Sequence, residues 1–435
     1  MPLLKVVSAQ KPRQIAARIL KGRLPEDKYT ENLLEIELAA HSLPPADRRL
    51  CQELVYGVVR WQASLDWLIA RKTSGRTQKP MLRILLQLGL YQMFWLDRIP
   101  SHAAVNETVE LAREFGLGQQ AGFVNAVLRG YSREVAETRQ LLAELKTRDA
   151  ATAWSHPVWL WERWRQRWGE KAVELMQWNN TPPPTYARVN LLKTAPDKLV
   201  RRWKDEGVQF SPRKWDWTGE NLIFELESHP SLTTLPSFQE GWFYVQDPST
   251  LMAVAELTPQ PGETVLDLCA APGGKTTFVA QLMQNRGLIV GQDNQAARLK
   301  LVRENCDRMG ITCVETALIS PEAGERRFDR ILVDAPCSNT GVMRRRVDLR
   351  WRIRPEEIGR LRNGQLELLR RAAAQLKPGG TLVYSTCSLE PEENNGVIAE
   401  FLGRDTRFKL VRERELVPFV DGTDGAYVAT LSIAS

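Results

Sequence analysis

Two cysteines stand in short segments of small, hydroxylated or rigid neighbours, Asp334-Ala335-Pro336-Cys337-Ser338 and Ser385-Thr386-Cys387-Ser388. Upstream, Ala270-Ala271-Pro272-Gly273-Gly274-Lys275-Thr276 is a glycine turn of the kind that admits an adenosine-containing cofactor where a strand passes into a helix. A thiolate beside a methyl donor is the equipment for methylating carbon 5 of a pyrimidine. In cytosine that carbon is too poor a nucleophile to take a methyl group directly, so a nucleophile must first add at carbon 6. Cysteine is the side chain best suited to that addition.

Gly274-Lys275-Thr276 is also the end of a phosphate-binding loop, but that motif requires glycine at position 269, where this chain has Cys269. Cys269, Ala270, Ala271, Pro272, Gly273, Gly274 and Lys275 are therefore assigned to a cofactor approached by backbone rather than held by its phosphates. Asp293 follows Gly274 by 19 positions, at the end of the next expected strand, where a carboxylate accepts hydrogen bonds from both ribose hydroxyls. Asp334, beside Cys337, is placed to hydrogen-bond the amino group and N3 of a cytosine and is expected at the catalytic and cofactor sites alike. Spacing leaves open which cysteine attacks and which assists elimination afterwards.

These motifs need a scaffold that brings them together. From about residue 246, β-rich runs alternate with helices: Thr264 to Cys269, Leu288 to Gln292, Ile311 to Glu315, Arg330 to Val333, Thr381 to Ser385 and Ala426 to Ser432. That alternation predicts a Rossmann-like α/β domain over 246–435, with its ligand crevice at the carboxyl ends of the strands, where all three motifs fall. Residues 1–150 read as an all-α domain: Pro12 and Pro44-Pro45 stand at helix starts, and Leu50, Leu54, Val58 and Trp61 share one face. Between them, 151–245 reads as a small α+β linker subdomain. Trp154, Trp159, Trp161, Trp164 and Trp168 decorate its helical start, as a base-stacking surface or as helix packing.

With 435 residues, 43% hydrophobic and 26% charged, the chain has room for two or three domains and a sizeable core. The longest notable charge-free apolar run, Ile84 to Leu96, spans 13 residues, short of the roughly 20 a membrane span needs. No signal peptide is legible, so the expected compartment is the cytoplasm, with no membrane partner. A net charge of +7 suits a polyanionic partner, and ten arginines lie between Arg344 and Arg371. Arg344, Arg345, Arg346 and Arg350 are candidate RNA contacts from this strip. The six cysteines form no C-x-x-C pair, so no metal site is expected, and Cys51, Cys306 and Cys313 are expected to pack as small apolar residues.

Ala270 to Thr276, Asp293, Asp334 to Ser338 with Thr340-Gly341, and Ser385 to Ser388 together resemble the RNA 5-methylcytosine methyltransferases of the Sun (Fmu) group. Tyr56 to Arg60, Ala104 to Glu107 and Phe123 to Arg129 are similar to the NusB-like RNA-binding domain found in bacterial 16S ribosomal RNA methyltransferases, and Arg188 to Asn190 resembles their linker. The resemblance implies S-adenosylmethionine as donor and 16S ribosomal RNA as partner, with cytosine 967 as the suggested target and a monomer as the acting species. It also implies that Cys387 is the nucleophile, that Cys337 promotes product release, and that Arg188 joins the RNA contacts. Where the family often carries an aspartate for the adenine, this chain has Ala317. The alternatives are methylation of another RNA, such as transfer RNA, or a non-catalytic assembly factor. Intact Asp334, Cys337 and Cys387 weigh against the latter.

Overall fold

The computed structural model describes residues 11–24, 28–319 and 326–433. The chain forms two compact units, Met1–Thr181 with Met343–Arg352, and Pro182–Val342 with Ile353–Ser435. Among its described residues, the first unit is built of helices. Proline occupies the first turn of Pro12–Gly22, Pro45–Arg60 and Pro80–Trp95, where its missing N–H costs nothing and its fixed φ suits the helix. Helix Pro80–Trp95 is buried on nearly every side from Leu82 to Met93, and so forms the axis of this unit.

The segment Met343–Arg352 belongs to this helical core. Val347 is buried in it, and Trp351 packs against it and donates through Nε1 to the Val59 carbonyl at 2.8 Å. Asp348 accepts from the Thr30 amide (2.5 Å) and hydroxyl (2.9 Å) and pairs with Arg23 at 3.0 Å.

The second unit holds two sheets. β1 (Thr185–Val189), β2 (Gln209–Arg213), β3 (Ile223–Ser228) and β4 (Phe243–Val245) form an antiparallel sheet in the order β2-β3-β1-β4. Helix Pro196–Asp205 covers it, burying Leu199 and Trp203 against Val189, Phe224 and Phe243. The larger sheet contains β5 (Thr264–Leu268), β6 (Leu288–Asp293), β7 (Val314–Leu318), β8 (Phe328–Asp334), β9 (Leu376–Thr386), β10 (Phe408–Leu416) and β11 (Ala426–Ile433). Its order is β10-β11-β9-β8-β5-β6-β7, parallel from β9 to β7, with β11 and β10 antiparallel. The order reverses between β5 and β8, which opens a crevice at their carboxyl ends.

Two elements depart from the expected positions. The strand expected from Ile311 begins at Val314, because Gly310 (φ +70°) ends the preceding helix and the Ile311 amide turns back to the Cys306 carbonyl at 2.9 Å. β10 is not among the expected strands: its Lys409, Arg412, Glu413 and Arg414 break the apolar pattern and blunt an edge strand.

Candidate functional site

β8 and β9 run parallel in a register that pairs Asp334 with Ser385. The chain therefore leaves both strands at the same level, and the two cysteines that follow meet. Their Sγ atoms lie 3.3 Å apart. Cys387 donates its thiol proton to Asn339 Oδ1 at 2.9 Å, and Asn339 Nδ2 donates to the Cys337 carbonyl at 2.7 Å, which fixes the amide's orientation. A thiol has one proton, so the sulfur–sulfur contact has Cys337 as donor and Cys387 as acceptor. The hydrogen bond to Cys387 and burial hold the Cys337 thiol well above its ordinary pKa, so it stays protonated.

Close approach of the two loops requires glycine at 341. A Cβ there would stand 2.8 Å from the Cys387 carbonyl oxygen and from Gly425 Cα. The Gly341 amide instead donates to that carbonyl at 2.9 Å.

Asp334 accepts from Lys275 Nζ at 2.7 Å through Oδ2 and from Ser385 Oγ at 2.9 Å through Oδ1. Burial pulls the Lys275 ammonium down, but the Asp334 carboxylate outweighs it and the net direction is upward, so the lysine stays charged. Lys275 thus joins the glycine turn to the cysteine loops.

The turn after β5 places Gly273 at φ +104°, a conformation an L side chain rarely adopts, at the start of helix Gly274–Leu282. Beneath it Asp267 is fully buried, accepts from Thr276 Oγ1 at 2.6 Å, and is pushed up to about 7 by burial. Cys269 sits in the turn with its thiol pushed up to about 12 by burial, which disfavours the thiolate there. At the end of β6, Asp293 is buried; its Oδ1 meets the Gln295 amide at 3.3 Å and Arg298 Nη1 at 3.5 Å. Its Oδ2 has no hydrogen-bond partner. A buried carboxylate oxygen left open at the crevice is what a ribose hydroxyl satisfies, so these residues fit an adenosine-bearing group.

The arginine candidates divide. Arg350 is fully buried in the helical unit, donating to the carbonyls of Arg60 (3.3 Å), Ser155 (3.2 Å) and Asn179 (2.8 Å) and to Asn180 Oδ1 (2.7 Å). Arg344 is buried too, its guanidinium 4.0 Å from the centre of the Trp178 ring. Arg188 is fully buried, donates to Thr277 Oγ1 at 2.9 Å and stacks on Phe278, with burial lowering its pKa to about 9. Burial withholds these three from a phosphate, and Arg188 instead supports the first turn of the helix after Gly273. Arg345 is half-buried and Arg346 exposed. The strip to Arg371 is not one face, since Arg362 pairs with Glu400 and Arg370 with Glu367. Of the five tryptophans, Trp164 is buried and the others are half-buried.

Residues that sequence reasoning missed are Asn339, Gln365, Glu393 and Asn394, which orient the cysteine loops. For Glu393 and Asn394 the dense polar run from Ser388 to Asn395 was the available signal. Among the described residues, no helix is long and apolar enough to cross a membrane.

Residues 254–431 match the model of a family described as 16S rRNA methyltransferase RsmB/F, 10–133 match the NusB family, and 156–219 match an RsmF/B-like ferredoxin-like domain. The probable ribosomal RNA small subunit methyltransferase B of Synechocystis is 40% identical, over 90% of this chain and 88% of its own. The Bacillus subtilis protein of that name is 35% identical, over 96% and 98%. The crystal structure of PH0851 superposes with a TM-score of 0.79 at 29% identity, covering 97% of this chain and 100% of that one. A methyltransferase homolog from Pyrococcus horikoshii reaches 0.57 at 34% identity, over 66% and 98%.

Proposed function

Because the chain belongs to the 16S rRNA methyltransferase RsmB/F family, we propose that it methylates carbon 5 of a cytosine in 16S ribosomal RNA through a covalent cysteine adduct. It is an S-adenosylmethionine-dependent methyltransferase. When bound, the cofactor supplies an electrophilic methyl group; the turn from Cys269 to Lys275 and the open oxygen of Asp293 are the residues to hold it. The observation that carries the cytosine reading is the pair of sulfurs 3.3 Å apart beside Asp334.

In this reading Cys387 adds to carbon 6, forming the S–C6 bond and moving the electron pair of the 5,6 double bond onto carbon 5. The protonated Cys337 thiol stabilises the Cys387 thiolate before attack by donating to it, a hydrogen bond of the stronger, charge-assisted kind. Asp334, held by Lys275 and Ser385, accepts from the amino group of the base and fixes its orientation, and it pairs with N3 once a proton lies between them. Once carbon 5 carries the methyl group, water takes the proton of carbon 5, the C5–H electron pair restores the 5,6 double bond, and the S–C6 pair leaves on Cys387, whose departing sulfur the Cys337 thiol stabilises by donating its hydrogen bond. The NusB-like domain supplies RNA affinity, Arg345 and Arg346 are the remaining candidate contacts of the five, and the chain acts as a monomer in the cytoplasm.

Bisulfite sequencing of ribosomal RNA from cells with and without the gene is the test. One 16S cytosine, position 967 in the family's pattern, should be protected only when the gene is present. Identical conversion in both would overturn the assignment.

A further inference from the structure

Each of the two cysteines is followed by a serine, and both serines donate to one carboxylate. Glu393, on the short helical turn Pro391–Glu393, is fully buried. Its Oε1 accepts from the Ser338 amide at 2.9 Å and from Gln365 Nε2 at 3.1 Å. Its Oε2 accepts from Ser388 Oγ at 2.5 Å and from Ser338 Oγ. Gln365 also donates to the Pro336 carbonyl at 2.9 Å, and Asn394 donates to the Ser388 carbonyl at 2.9 Å. The two loops come from different strands, and Ser338 and Ser388 converge on this one side chain.

We infer that Glu393 is a positioning residue of the two-cysteine site: by binding the residue after each cysteine it sets the distance between the two sulfurs. A buried carboxylate with four donors is a strong and directional tie, and without it neither serine hydroxyl has the partner that now fixes its loop. The consequence for turnover rests on the reading that Cys387 attacks and Cys337 assists release. Cys337 acts only within reach of the adduct, so a loosened clamp impairs release more than attack.

The test uses the full chain with Glu393→Ala, Glu393→Gln and Ser388→Ala. The azo oxidant diamide takes two electrons and two protons from a thiol pair, forming the disulfide and leaving the hydrazine. The rate at which mass spectrometry finds Cys337 joined to Cys387 therefore reports on the sulfur–sulfur distance without RNA. Glu393→Ala should slow this reaction, and should slow turnover by up to about a hundredfold, the scale of a 1 Å misplacement. Its KM for RNA should fall together with kcat, leaving kcat/KM nearly unchanged, as a covalent protein–RNA adduct accumulates. Glu393→Gln keeps an oxygen for the Ser338 amide and an NH2 for the hydroxyls, so it should restore both rates.

Wild-type oxidation and turnover in Glu393→Ala, or a Glu393→Gln as impaired as Glu393→Ala, would overturn the positioning role. Slowed oxidation with no adduct even in Cys337→Ala would uphold the clamp and remove the release reading instead. Should Glu393→Ala fail to bind S-adenosylmethionine for want of a fold, Ser388→Ala, which removes one of the four donors, decides by the same two measurements.

Discussion

The proton order at the two sulfurs separates their roles. Cys337 donates and is held protonated, and Cys387 accepts from it; in the proposed mechanism the first assists the adduct's collapse and the second attacks. Cys387→Ala should therefore be inactive and hold RNA only reversibly, whereas Cys337→Ala should attack and methylate but stall before elimination. Denaturing gels with radiolabelled RNA and S-adenosylmethionine should show a shifted band for Cys337→Ala alone. A band in Cys387→Ala alone would give the nucleophile's role to Cys337. The sequence motifs contain the residues proposed to react with the base, since reactive types and their spacing are local properties. They did not name Asn339 or Glu393, whose roles exist only because residues about 50 positions apart meet.

At the scale of elements, β5 carries a test of its own. Asp267 lies in a strand flanked by β6 and β8, and burial raises its folded value to about 7 from 3.8. Between those values the folded state keeps a proton that the unfolded chain has lost. The stability this gives is present in full below the unfolded value and is lost as pH rises through the folded one. Asp267→Asn removes the titration, so urea midpoints at pH 5 and pH 8 should differ less in the variant than in wild type. An equal difference would mean that Asp267 is not held protonated. Strands buried on both faces were legible as short apolar runs, whereas β10, paired on one side and charged on the other, offered no such run.

On the scale of the molecule, the segment that follows the Cys337 loop lives in the helical unit. A chain truncated to begin at residue 151 keeps every residue proposed to hold the cofactor and should bind it. It loses the partners of Asp348 and Trp351 and one acceptor of Arg350, leaving polar groups unpaired and apolar surface exposed. The truncated chain should lose ribosomal RNA methylation at ordinary concentrations, and Met343–Arg352 should become the first site of limited proteolysis. Full activity with an unchanged cleavage pattern would show that the helical domain supplies neither RNA affinity nor support for that segment.

Family, fold class and the candidate reactive groups were legible in the sequence alone, because glycine turns, strand periodicity and cysteine neighbours are written over a few consecutive residues. The destination of the arginines was decided by the tertiary structure. Arg344 and Arg350 read as a basic strip while they were only neighbours in a chain; burial against Trp178, three carbonyls and Asn180 turned them into core residues. A guanidinium carries the same charge in either setting, and only the acceptors around it, drawn from distant positions, determine whether it faces a phosphate or a carbonyl.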